Sequence, residues 1–167
     1  MKQIVHHSVY KEIVYNENLW SGKKALTVNG LNAQPLSKNE VMVNGEKAVL
    51  KGNYLIGVSV CIGSETIEVL PKLTWYEIIV AFLPAVFILI WGNIPSLAAV
   101  FPVVGGAVGG GIGGLGTIAS MLLMRKATSP IKKIIIGLGT FAVTVLAAFV
   151  MAIAIILLDA QISFILQ

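Results

Sequence analysis

One cysteine and two histidines are all the soft metal ligands and ready nucleophiles that the 167 residues offer. A lone Cys61 excludes an intrachain disulfide and fits a reducing compartment. It has no histidine at a recognisable spacing, so it reads as a small core residue rather than a nucleophile. His6 and His7 are sequence neighbours, which in a strand point to opposite faces. No Cys, Asp or further His stands at ligand spacing beside them, so they read as an exposed strand end, and no metal is expected. Charge is equally scarce, at 12% of residues against about 25% in soluble domains. The net charge of +4 is too small to mark a nucleic-acid binder. A zinc motif, nucleophile elbow, Walker loop and dinucleotide fingerprint are all missing, and the predicted membrane spans offer only Glu77 and Asp159, at their ends and on opposite faces. The expectation is a non-enzymatic protein without a cofactor. The first residues carry Lys2, Lys11, Glu12 and Glu17 and no long apolar run, so no signal peptide is expected.

What the chain does have is apolar residues, 56% of the total, unevenly placed. Eight lysines and six glutamates fall within residues 1–74, leaving Glu77, Arg125, Lys126, Lys132, Lys133 and Asp159 for residues 75–167. That shift predicts a polar domain over 1–74 and a transmembrane helical domain over 75–167.

The first domain reads as strands and turns. Ile4 to Tyr15 is rich in β-branched and aromatic residues, which suit a pleated surface. Asn29-Gly30, Asn44-Gly45 and Gly63-Ser64 separate apolar runs and accept the positive φ angles of primed hairpin turns. Val58, Val60 and Ile62 alternate with Ser59 and Cys61. The pattern predicts a small antiparallel meander or sandwich of five to seven strands with one face packed. Within it, Ser21-Gly22-Lys23-Lys24 followed by Val28-Asn29-Gly30, Gly45 and Gly52 resembles the first repeat of the Fas apoptosis inhibitory molecule family. The resemblance covers residues 19–70 and lacks the family's aromatic positions. It implies an all-β fold and a non-enzymatic interaction module.

The first predicted span covers about 75–92, with Trp75 and Tyr76 at one interface, Trp91 at the other and Pro84 in its middle. Glu77 lies one turn inside, where it reads as an interfacial group pairing with Lys72 or reaching the headgroups; an ion ligand is the alternative. Residues 93–101 are too apolar for a loop and too short to cross, which suits an interfacial or re-entrant helix; one long kinked helix from Ile94 to Met124 is the alternative. The second span, 102–124, is uncharged and glycine-rich. Its glycines stand four apart in two registers, Gly105, Gly109, Gly113 and Gly106, Gly110, Gly114, the spacing that lets another backbone approach in lipid. After it, Arg125, Lys126, Lys132 and Lys133 share one loop with no acid, a topology signal that assigns the loop to the cytoplasm and to anionic headgroups. The third span, 134–158, is expected to end at Asp159, with the apolar tail lying at the interface. Thr140, Thr144, Ala148 and Ala152 make a small-residue stripe on it, the expected partner of the glycine ridges.

The fold class read from the sequence is therefore an α+β membrane protein: a small antiparallel β-domain, then three transmembrane helices with a glycine-rich second helix. The expected location is a cytoplasmic membrane of bacterial type, with the β-domain inside and the C-terminus outside. The functional expectation is an accessory or scaffold subunit. Its partners are the lipid bilayer and a second copy of the chain or another membrane protein. A small homo-oligomeric channel or a transport-associated subunit is the alternative, and glycine packing within one subunit is the competing use of the ridges.

Overall fold

Asn29-Gly30 and Asn44-Gly45 each place two consecutive residues at positive φ, 52° and 78°, then 49° and 85°. This is what a two-residue primed turn requires. In the computed structural model, which describes residues 1–165, both pairs reverse the chain between antiparallel strands. The chain divides into two compact units, Met1–Leu73 and Thr74–Gln167.

The first unit holds two antiparallel meanders. Strands β1 (Lys2–His7), β2 (Lys11–Glu17), β3 (Lys24–Val28) and β4 (Leu31–Asn32) pair in sequence order. So do β5 (Gln34–Ser37), β6 (Glu40–Val43), β7 (Glu46–Asn53), β8 (Gly57–Ile62) and β9 (Glu65–Leu70). Ile13, Tyr15, Leu26 and Val28 from the first sheet and Val43, Leu50, Val60, Ile62 and Val69 from the second are buried in one core. Nine strands thus replace the five to seven expected. The surplus lies in β4 and β5, which are short, exposed at every position and held by their neighbours rather than by apolar alternation. Cys61 is not a core residue. It is half-buried on the outer side of β8, opposite Thr66, because Val60 and Ile62 take the inward positions.

The second unit contains four helices among the described residues: α1 (Trp75–Trp91), α2 (Pro95–Val100), α3 (Gly106–Met124) and α4 (Pro130–Ile165). By length and composition α3 and α4 are apolar enough to cross a membrane, and α1, with 17 residues, is an apolar helix just under that length. The short α2 occupies the stretch between prolines, and no single helix runs from Ile94 to Met124.

Two boundaries differ from expectation. Helix α3 begins at Gly106 rather than Pro102. Proline disfavours helical geometry in the residue before it, and Phe101 is extended, at φ −141° and ψ 105°. Helix α4 begins at Pro130, a residue suited to a first helical turn, and continues through Asp159 to Ile165. Lys132 and Lys133 are therefore helical rather than loop residues, and the tail to Ile165 extends the helix. An aspartate inside a helix costs only a fraction of a kcal/mol, roughly 0.7 at most, and nothing else in that tail breaks one.

Candidate functional site: the glycine ridge and the basic end of the helical unit

Helices α1, α3 and α4 all touch one another, and small residues set how closely. A Cβ added at Gly113 would lie 2.9 Å from the Ala85 Cα of α1, and one at Gly109 would meet Ile88 and the Val104 carbonyl. Gly92 and Gly105 approach backbone to backbone, where a Cβ at Gly92 would lie 2.8 Å from the Gly105 Cα. The register Gly105, Gly109, Gly113 therefore faces the C-terminal half of α1. Only Gly116, one turn further on, meets the Thr/Ala stripe, where its added Cβ would collide with Thr144.

This corrects the pairing expected from the sequence. The partner of the glycine ridge is α1, because Ala85 and Gly92 let the backbones approach and Ile88 packs against Gly109. The stripe on α4 still turns inward, with Thr144, Ala148 and Ala152 buried and Thr140 half-buried. Gly137 belongs with it, packed on Val80 and Met124. The other register, Gly106, Gly110 and Gly114, has nothing within 4 Å of an added Cβ, so it is an open face of this chain.

Hydroxyls inside the bundle serve their own helices. Thr117 donates to the Gly113 carbonyl at 3.0 Å, and Thr144 to the Thr140 carbonyl at 2.7 Å. Thr140 reaches the Ile136 and Gly137 carbonyls. Ser120 Oγ alone, among the described residues, is a buried side-chain polar atom without a hydrogen-bond partner.

At the other end of α3 the charged residues gather. Glu77 is 2% exposed and accepts a hydrogen bond from Lys133 Nζ at 2.5 Å; the Lys133 side chain is 25% exposed. The second Glu77 oxygen accepts from the Thr74 backbone N–H at 2.8 Å and so closes the first turn of α1. The partner is Lys133 rather than Lys72, since the first turn of α4 brings that ammonium to the start of α1. Lys126 and Lys132 are exposed and Arg125 is half-buried.

The aromatic residues divide. Trp75 is exposed and stands edge-on to Tyr76. Trp91 instead stacks on Phe87 and donates its indole N–H to the Phe101 carbonyl at 3.0 Å, so it clamps the connection around α2.

In the first unit, sequence reasoning missed a buried polar pair. Glu17 is 5% exposed. Its Oε2 accepts from Tyr15 Oη at 2.8 Å and from the Tyr54 backbone N–H at 2.6 Å. Burial, reinforced by the Glu17 carboxylate, pushes the Tyr15 hydroxyl pKa far up. The signal was present in β2, where Ile13, Tyr15 and Glu17 fall on one face and put a carboxylate at a core position. His7 stacks on Tyr10, and no group of three His, Cys, Asp or Glu side chains that could hold a metal occurs among the described residues.

No protein-family description, curated protein or solved structure matches this chain.

Proposed function

We propose that this is a non-enzymatic, multi-pass membrane protein of the accessory or scaffold kind. In this reading α1, α3 and α4 cross the bilayer, and the β-unit is a cytoplasmic interaction module. The observation that carries the proposal is the unequal use of the two glycine registers. Gly105, Gly109 and Gly113 are consumed inside the chain, while Gly106, Gly110 and Gly114 remain open on an apolar helix. An open glycine face in lipid is a surface on which a second helix can approach closely. Assembly with a second copy, or with another membrane protein, is the use assigned to it.

The topology rests on charge. Arg125, Lys126, Lys132 and Lys133 lie between α3 and the first turn of α4, and the Glu77–Lys133 bond brings the start of α1 to that same end. The positive-inside rule then assigns this end, and the β-unit that precedes α1, to the cytoplasm.

A homo-oligomeric channel is the second reading, favoured by the same open register. The hydroxyls weigh against it, because Thr117, Thr140 and Thr144 are turned onto their own helices instead of lining a polar path.

The test is the mass of the particle in nanodiscs. Gly110→Leu with Gly114→Leu is expected to reduce a discrete oligomer to smaller particles while leaving the monomer stable. Gly109→Leu with Gly113→Leu is expected to lower thermal stability instead, because each leucine would overpack against α1 at about 1–3 kcal/mol. A wild-type particle that is already monomeric, and unchanged by the first pair, would refute self-assembly.

A further inference from the structure

The connection between β2 and β3 is held closed by its own hydrogen bonds. The Asn18 backbone N–H donates to the Lys23 carbonyl at 2.9 Å, and Gly22 N–H to the Asn18 carbonyl at 2.8 Å. The Asn18 side-chain oxygen accepts from the N–H groups of Trp20 and Ser21, at 3.0 and 3.1 Å. Gly22 completes the turn at φ +63°. The turn leaves Trp20 at its tip rather than packed on the sheet. Trp20 stands 91% exposed, the most exposed of the large apolar side chains among the described residues.

The chain that follows Trp20 is basic, and its neighbours Ser21 and Gly22 line a basic surface. Two adjoining clefts of about 360 and 520 Å³ share Gly22, Lys24 and Lys38, and Lys23, Ser21 and Ser37 line the larger. Lys24 Nζ donates only to neutral acceptors, the Asn39 side-chain oxygen and the Gly52 carbonyl. Lys23 and Lys38 form no ion pair, the salt bridges among the described residues being Lys47–Glu40 and Lys133–Glu77. The acid at this place, Glu17, keeps its carboxylate turned into the core on Tyr15 and Tyr54. Three cations with two hydroxyls beside them suit a phosphate oxygen. An exposed indole, apolar in body with one N–H donor, suits the headgroup level of a bilayer.

We propose that the β-unit docks on an anionic phospholipid surface, with Trp20 entering the headgroup layer and Lys23, Lys24 and Lys38 holding phosphates. The inference rests on the reading that the helical unit crosses a bilayer. Strand β9 ends four residues before α1 begins, so that bilayer is within the tether's reach. Charge complementarity selects lipid over an acidic protein, because the basic leaflet anchor between α3 and α4 and the anionic cytoplasmic leaflet belong to the same side.

The full chain carrying Trp75→Phe and Trp91→Phe, which leaves Trp20 as its one indole, would be reconstituted into two kinds of vesicle. One is phosphatidylcholine alone, and the other contains one third phosphatidylglycerol. The expected result is quenching of Trp20 by brominated acyl chains in the anionic vesicles, reversed by high salt. Each Lys→Gln change at 23, 24 or 38 should weaken it roughly fivefold. Amine acetylation of the unsubstituted chain gives an independent reading that does not depend on the tryptophan variants. Lys23 and Lys38 should be protected in anionic vesicles and free in neutral ones. Trp20 equally open to an aqueous quencher in both, with helices that resist alkaline extraction, overturns the docking and leaves the membrane reading intact. Trp20 equally shielded in both overturns recognition of anionic lipid: quenching by brominated chains in both means insertion that ignores headgroup charge, and no such quenching means cover by the protein itself. A chain that alkali releases into solution overturns both proposals.

Discussion

Removing one partner of the Glu77–Lys133 pair should cost very different amounts depending on which is removed. Glu77 is 2% exposed and holds its charge between the Lys133 ammonium and the Thr74 N–H. Lys133→Met leaves that carboxylate buried with one neutral donor, and breaking a buried pair in this way costs about 3–5 kcal/mol. Glu77→Gln keeps an oxygen for the Thr74 N–H. It releases a lysine whose side chain is already 25% exposed and whose stem lets the ammonium reach water or headgroups. The expected loss is then close to one charge-assisted hydrogen bond, about 1.5–2 kcal/mol. The double variant strands no charge. It should recover most of the Lys133→Met penalty, which corresponds to a coupling of about 3 kcal/mol or more in a double-mutant cycle. Unfolding in mixed detergent micelles, followed by helical circular dichroism, measures all four proteins. Equal losses for the two single variants, or strictly additive losses in the double, would refute the description of Glu77 as a buried charge held by Lys133.

Two further predictions concern backbone contacts and pH. A methyl at Gly105 would collide with the Gly92 carbonyl, whereas one at Gly111 meets nothing within 4 Å. Gly105→Ala should therefore lower thermal stability by about 1–3 kcal/mol while Gly111→Ala raises it by up to about 1 kcal/mol, both read from melting curves. In the β-unit, the Tyr15 pKa lies far above its ordinary value, chiefly through burial. The stability this gives is complete below the unfolded-state value of about 10 and is lost as pH rises above it. Tyr15→Phe should lower neutral-pH stability by about 1–2 kcal/mol through the Glu17 bond it removes. It should also flatten the alkaline decline in a pH series of melts, and an unchanged decline would show that Tyr15 does not drive it.

Local chemistry was legible in the sequence wherever one residue type dictates geometry. The Asn-Gly pairs place two hairpin turns, the alternation in β8 orients Val58, Val60 and Ile62, and the uncharged glycine run marks α3. What was not legible depended on a partner far along the chain. Either glycine register could have been buried, and the choice of Gly105, Gly109 and Gly113 follows from the close backbone approach that Ala85 and Gly92 allow on α1, with Ile88 packed on Gly109. Lys133 could be matched with Glu77 only once α4 was known to start at Pro130 rather than Ile134. Strands β4 and β5 escaped because nothing in Leu31–Asn32 or Gln34–Ser37 alternates; their pairing is imposed by β3 and β6.

Helix α4 carries the argument for an external surface furthest. Its 36 residues extend to about 54 Å, against about 28 Å for the 19 residues of α3. The buried positions of α4 run from Gly137 to Ala152 and stop there. Beyond them Ile155, Ile156, Leu157, Leu158, Ile162 and Phe164 are exposed. So much contiguous apolar surface is not left in water by a stable protein. A bilayer core of about 30 Å accommodates the helix from its basic first turn to about residue 153. The remainder exceeds the core unless the helix tilts, and Asp159 sits within it. Tilt of α4 alone would carry it away from the shorter α3 and break the contact of Gly116 with Thr144, which has no spare space, whereas tilt of the three helices together keeps it. Cover from a second molecule satisfies both constraints at once. It shields the apolar extension without moving the packed half of the helix. The open register on α3 and the exposed end of α4 are two separate surfaces of this chain, and the assembly proposed above would cover both.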